Sequence, residues 1–219
     1  MLNNFKHIIW DWNGTLLNDT SLSLNIINGL LKSKNLNTLS MEGYRHIFDF
    51  PVKNYYEKAG FNFKEYSFEE VGKQWMDEYE IRKGETILFE GTKEVLDYIS
   101  SLGIGQSVLS AYSLHTLIEI INKHGLTKYF QHITGLDHIY ATSKLDIGRE
   151  LIKKIDAPPQ KILLIGDTIH DHEVASELGI QCILIANGHQ SRERLLSSGF
   201  PVLNDIRELI TNPPHPLSR

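Results

Sequence analysis

Apolar residues along this chain fall into two kinds of pattern. Four short runs, Ile8-Ile9-Trp10, Ser107-Val108-Leu109, Ile162–Ile165 and Cys182–Ile185, show no alternation with polar positions. Strands buried on both faces of a parallel sheet have this character, whereas half-exposed strands alternate. Between the runs, helical patterns extend from Gly91 to Gly103, Ser113 to Gly125, Lys144 to Asp156 and Asp171 to Gly179. Three of these close on glycine, which accepts the left-handed backbone just past a helix end. Strand and helix in alternation predict an α/β fold with a Rossmann-like parallel sheet core.

One stretch departs from this rhythm. Between about Asp19 and Lys83 four helical segments follow one another with no strand signal. The first starts near Thr20 and sets Leu22, Ile26, Ile27, Leu30 and Leu31 on one face. A second follows Ser40, and a third opens at Pro51 and stops at Gly60. The fourth begins with a Ser67-x-x-Glu70 capping-box pattern and carries Val71, Trp75 and Tyr79. The expected organisation is therefore a core of residues 1–16 and 84–219 with a small all-helical cap at 17–83. The tail Asn212-Pro-Pro-His-Pro-Leu-Ser-Arg219 is expected to be poorly ordered.

Composition narrows the classes of function. The 219 residues carry 22 Lys and Arg against 27 Asp and Glu, a formal charge of −5. That balance argues against nucleic acid or an anionic membrane as the main partner. The single cysteine, Cys182, excludes an internal disulfide and suits a reducing, cytoplasmic setting. Its place in an apolar run makes it a core residue. No apolar run approaches the length of a bilayer span, and the N-terminus has no signal-peptide pattern.

Chemistry concentrates at the ends of the expected strands. The first run ends in Asp11-Trp12-Asn13-Gly14-Thr15, which projects a carboxylate into the crevice where α/β sheets bind ligands, or simply caps a turn. The second ends in Leu109-Ser110-Ala111, placing a hydroxyl at a comparable tip. Lys144, after Thr142-Ser143, stands at the positive end of a helix dipole. A cation there is unfavourable unless an anion lies between them; the alternative is a solvated surface lysine, an account that Lys153 and Lys154 in the last turn of the same helix fit better. The third run ends in Gly166-Asp167 and is followed by Asp171, which is either the N-cap of the next helix or the second member of a carboxylate pair. Two carboxylates held together call for a shared proton or a cation.

In this order, with a helical insert after the first motif, Asp11 with Gly14-Thr15, Ser110, Lys144, and Gly166-Asp167 with Asp171 resemble the haloacid dehalogenase-like superfamily. The likeness spans about Ile8 to Gly188, and the Phe89-x-Gly91 segment is similar as well. It is strongest to the phosphoglycolate phosphatase and β-phosphoglucomutase branch. The resemblance implies a phosphohydrolase acting on a small phosphorylated metabolite, with Asp11 as nucleophile. It implies Mg²⁺ held by Asp11, the Asn13 carbonyl, Asp167 and Asp171. Ser110 and Lys144 would hold the phosphoryl group, with Thr15 and Ala111 beside them and Arg45 and Lys53 contributing from the cap.

Asn13 departs from the family pattern, in which a second aspartate two residues after the nucleophile exchanges protons with the leaving group and water. An amide cannot do this at neutral pH. Three accounts follow: substrates with good leaving groups such as acyl, pyro- or aryl phosphates; another proton donor, for which His170 is a candidate; or a weakly catalytic or non-catalytic phosphate-ligand binder. Carbon–phosphorus cleavage would require a Schiff-base lysine in the cap, such as Lys53. His170-Asp171-His172 looks like a metal cluster only on paper, because adjacent helical residues point different ways.

Overall fold

The computed structural model describes residues 2–136 and 143–211. The first half of the chain forms β1 (His7–Trp10), β2 (Leu17–Asn18), α1 (Thr20–Ser33), α2 (Met41–Ile47), α3 (Val52–Ala59), α4 (Phe68–Arg82), β3 (Ile87–Leu88) and α5 (Thr92–Ser101). The second half forms β4 (Gly105–Ser113), α6 (Leu114–Lys123), β5 (His132–Leu136), α7 (Lys144–Lys154), β6 (Ile162–Gly166) and α8 (Ile169–Leu178). It ends with β7 (Gln181–Ile185), α9 (Arg192–Leu196), β8 (Val202–Leu203) and α10 (Glu208–Thr211). The expectation for the tail lies outside the described residues.

Six strands make one parallel sheet in the order β5-β4-β1-β6-β7-β8. Its middle is made of the unbroken apolar runs, and neighbouring residues in them serve opposite faces. Ile8, Trp10, Leu163 and Ile165 join one core cluster with Val95, Leu96 and Ile99 of α5 and Leu117 and Ile121 of α6. Ile9, Ile162 and Leu164 join another with Leu151 of α7 and Val174 and Ala175 of α8. Helices on both faces explain why alternation is missing. Cys182 is buried in β7 as a free thiol within the second cluster.

Two strands of this sheet had no signal in the apolar pattern. β5 is a half-buried edge strand containing His132, Thr134 and Gly135, and β8 is two residues long. A third difference is a small antiparallel ribbon in which Leu17 and Asn18 of β2 face Leu88 and Ile87 of β3. It joins the two chain crossings between the sheet and the helical segment.

Helices α1–α4 gather around their own cluster, with Ile27, Leu31, Tyr44, Tyr55, Tyr56 and Val71 at its centre. Leu22 and Ile26 of α1 and Tyr79 of α4 instead belong to the sheet's cluster, so the helical segment is rooted in the core. At α4 only half of the expected capping box forms. The Ser67 hydroxyl accepts from the Glu70 N–H but donates to Glu69, and the Glu70 side chain does not return the bond. Complete boxes occur at Ser143/Asp146 and Thr168/Asp171.

Candidate active site

The chain order of the sheet reverses at β1, between β4 and β6, which is where open α/β sheets bind ligands beyond the strand ends. These three strands deliver Asp11, Ser110 and Asp167 to one place. Asp11, Asp167 and Asp171 are all buried, with carboxylate oxygens within 4.8 Å of one another. Lys144, the first residue of α7, reaches into the cluster. Its ammonium donates to Asp11 Oδ1 at 2.5 Å and to Asp171 Oδ1 at 2.6 Å. The N-cap of α8 is Thr168 and not Asp171. Asp171 Oδ2 accepts from the Thr168 N–H at 3.0 Å and its hydroxyl at 2.6 Å, so this carboxylate caps a helix and belongs to the cluster at once.

Glycines let the backbone come this close. Gly14 has φ +76°, and a Cβ there would sit 2.3 Å from Asp167 Oδ2. A Cβ on Gly188 would approach the same oxygen to 2.1 Å. Any side chain at either position displaces Asp167.

Three carboxylates face one lysine, and the imbalance appears in their acidities. Burial, with the neighbouring charge of Asp171, raises Asp11 to about 6 despite Lys144. Burial and the charges of Asp11 and Asp171 raise Asp167 to about 8. Burial acts the same way on Asp171, but the ammonium of Lys144 outweighs it and holds the group below the ordinary carboxylate range. A buried all-oxygen donor set short of positive charge suits a hard divalent cation such as Mg²⁺.

A second polar network adjoins the first. The Asn13 amide donates to Asp19 Oδ2 at 2.8 Å and to the Tyr79 hydroxyl at 2.9 Å, and that hydroxyl also donates to Asp19. His189 lies on the far side of Asp19, with Nε2 3.1 Å from Oδ1 and Nδ1 2.8 Å from the Tyr44 hydroxyl. Its ring stacks on Phe48, and its backbone N–H donates to Asp167 at 2.6 Å. Burial works to lower the imidazolium, but the carboxylate of Asp19 prevails and holds His189 up to about 9. Sequence reasoning overlooked both residues. The signal for His189 was its place just after a buried strand, like Asp11 and Asp167.

A cavity of about 340 Å³ opens above these groups, between the sheet and the helical segment. Asp11, Asn13, Ser110, Ala111, Lys144, Asp167 and Asp171 line it, as does His170, whose ring packs against Phe50. Thr15 does not line it. Its fully buried hydroxyl lies 3.1 Å from Asp167 Oδ1 and 3.3 Å from Asp11 Oδ2, bracing the carboxylates. Arg45 and Lys53 also stand outside the lining. Arg45 donates to the carbonyls of Gly188 and Asn187, and Lys53 is exposed with its ammonium over the ring of Phe63. Lys53 is thus not placed to form a Schiff base with a substrate in this cavity. His172 bonds to Ser176 and packs on Phe200, so it forms no metal cluster with His170.

Similarity to known proteins agrees with this geometry. A phosphoglycolate phosphatase of Agrobacterium fabrum is 23% identical over 188 residues, which cover 83% of this chain and 80% of that protein. One from Pseudomonas syringae pv. syringae is 22% identical over 57% of this chain, and the match spans about half (47%) of that protein's length. Among solved structures, a haloacid dehalogenase-like family hydrolase from Streptococcus pneumoniae superposes with a TM-score of 0.79 at 19% identity. That superposition covers 95% of this chain and 98% of the other. No described helix is long and apolar enough to cross a membrane. The family model for haloacid dehalogenase-like hydrolases matches residues 8–185, from the second residue of β1 to the end of β7, and the chain belongs to that family.

Proposed function

We propose that this chain is a Mg²⁺-dependent phosphohydrolase that transfers a phosphoryl group from a small phosphorylated metabolite to Asp11 and then to water. The observation that carries the proposal is the buried Asp11–Asp167–Asp171 cluster, with Lys144 and Ser110 beside it, at the switch point of the sheet. Phosphoglycolate phosphatases among the relatives support the reaction class.

Asp11 is assigned as the nucleophile. Its carboxylate is oriented by the Lys144 ammonium and the Thr15 hydroxyl, so little reorganisation precedes attack. Asp11, Asp167, Asp171 and the Asn13 carbonyl are the proposed cation ligands. A cation bound there neutralises charge on the phosphoryl oxygens. Ser110 and Lys144 are assigned to the same oxygens, where fixed donors stabilise the developing charge. Residues 17–83 act as the cap, and its closure excludes bulk water.

Release of inorganic phosphate from phosphate monoesters, with and without EDTA, tests the proposal. Asp11→Asn should abolish release while leaving the fold intact. Full activity in excess EDTA, or in that variant, rules out the phosphoaspartate route.

The second reading, a protein that binds a phosphorylated ligand with little turnover, is favoured by one observation. The Asn13 amide is tied to Asp19 and Tyr79 and has no proton to give. Ligand binding without phosphate release in Mg²⁺ would select it.

A further inference from the structure

We propose that the leaving group of the reaction is an aromatic ring, so that the substrate is a small aryl phosphate monoester. The proposal rests on the phosphohydrolase reading above and names its substrate class from the other end of the same cavity. Beyond the carboxylates much of the wall is made of rings, including Tyr44, Phe48, Phe50, Tyr55, Trp75 and Tyr79. They already pack on one another in tilted, edge-on and stacked arrangements. Phe48 meets Phe50 at 5.5 Å and 88°, and Trp75 meets Tyr79 at 5.0 Å and 20°. A planar apolar guest completes such a cage through the same contacts.

The charges in the wall exclude the opposite kind of leaving group. Among the described residues Lys144 is the only lysine or arginine on the lining, and its ammonium is committed to Asp11 and Asp171. His189 is held by Asp19, and Arg45 is turned to the carbonyls of residues 187 and 188. A carboxylate on the leaving group, as in phosphoglycolate, would lie desolvated among rings with only His170, packed on Phe50 and 3.4 Å from Glu173, left to face it.

Asn13 points the same way independently of the cavity wall. The Asp11 oxygen attacks phosphorus, the P–O bond to the ring breaks, and its electron pair stays on the phenolic oxygen. A phenolate is stable enough to depart as the anion and takes its proton from solvent water afterwards, so no general acid is required. Water then attacks phosphorus on Asp11 and releases inorganic phosphate. The sum is aryl phosphate plus water giving phenol plus phosphate. An alkoxide needs the proton that an amide cannot supply.

The test uses the purified full chain with Mg²⁺ and four substrates: phenyl phosphate, benzyl phosphate, acetyl phosphate and phosphoglycolate. Binding should follow the ring, with KM for phenyl and benzyl phosphate roughly 10–100-fold below that for the other two. Turnover should follow the leaving group, with phenyl phosphate exceeding benzyl phosphate by roughly 10²-fold or more. Met76→Lys places a cation on the lining from a position that is 41% exposed. It should move the kcat/KM ratio about tenfold toward phosphoglycolate. Hydrolysis of phosphoglycolate or acetyl phosphate with a KM at or below that of phenyl phosphate overturns the aryl assignment and leaves the phosphohydrolase standing. An unchanged ratio in Met76→Lys also overturns it. Absence of hydrolysis for all four removes both proposals together.

Discussion

The Lys144 ammonium lies 2.6 Å from the carboxylate of Asp171, and the other oxygen of that carboxylate closes the capping box of α8. One side chain thus couples the start of α7 to the start of α8 across the cluster. Removing the lysine strands two buried carboxylates, and breaking a buried pair costs about 3–5 kcal/mol. Lys144→Met should therefore lower the urea midpoint in EDTA and regain much of the loss in Mg²⁺. It should also weaken every phosphate substrate by a similar factor. Selective loss on one substrate would place Lys144 on the leaving-group side.

Metal-free stability should fall as pH rises through the carboxylate cluster. Asp11 and Asp167 have folded-state pKa values of about 6 and about 8, above those of the unfolded chain. Their contribution is therefore present in full at low pH and is lost as each ionises. Mg²⁺ opposes the loss, so its effect on Tm should be larger at about pH 8 than at about pH 5. Asp11→Asn should stabilise the metal-free protein near neutrality while abolishing turnover. Equal Mg²⁺ shifts at both pH values would count against these three carboxylates as the cation site.

His189 gives the same sign for a different reason. Its partner Asp19 raises it to about 9, so the pair's contribution is complete below the ordinary histidine range and declines up to about pH 9. Denaturation of His189→Gln across this range should show a flatter pH profile than the wild type. A parallel profile would mean that the imidazole is neutral in the folded protein.

Restoring a carboxylate at position 13 is not a simple repair. Asn13 donates to Asp19, so Asn13→Asp replaces a hydrogen bond with a repulsion between carboxylates. The single variant should be destabilised without gaining rate on alkyl phosphates. Asn13→Asp combined with Asp19→Asn should relieve that repulsion, at the cost of the Asp19–His189 pair, and raise alkyl-ester turnover by up to roughly 10²–10⁴-fold. Additive effects in that cycle would show that the two positions do not interact. Mg²⁺ affinity, measured alongside, separates loss of rate from loss of cation.

Arg45 fastens the helical segment to the loop after β7 and does not face the cavity. Arg45→Ala should raise KM for all substrates alike, and Lys53→Ala should change neither rate nor preference. A switch in preference at either position would restore the specificity role expected from the chain position alone.

The sequence made the centre of this molecule legible and its periphery obscure for one physical reason. Interior strands such as β1 and β6 are buried on both faces and must be apolar throughout, so their ends, with Asp11 and Asp167, stand out. Edge strands such as β5 carry no such requirement, and the two-residue β2 and β3 are too short to display a period. The resemblance to the family fixed the order of the motifs. It could not reveal that Arg45 turns toward a backbone carbonyl, because rotamer and partner are decided by packing between segments some 140 positions apart. His189 was hidden for the same reason: its charge depends on Asp19, which looks in the sequence like an ordinary residue before a helix.

The loop after β7, with the first turn of α9, holds the far end of the helical segment at more points than Arg45. Gln190 and Arg194 both donate to the carbonyl of Phe48, and the Ser191 N–H donates to the carbonyl of Arg45. On the other side, the β2–β3 ribbon joins the two crossings with a single short antiparallel pair. The helical segment is thus built like a door, with a narrow hinge at residues 17–18 and 87–88 and a polar latch at residues 45–48. In the proposed opening of the cap these latch bonds would be exchanged for bonds to water, at little net cost. If the proposed cap opens at this side, weakening the latch should speed the passage of substrate and product.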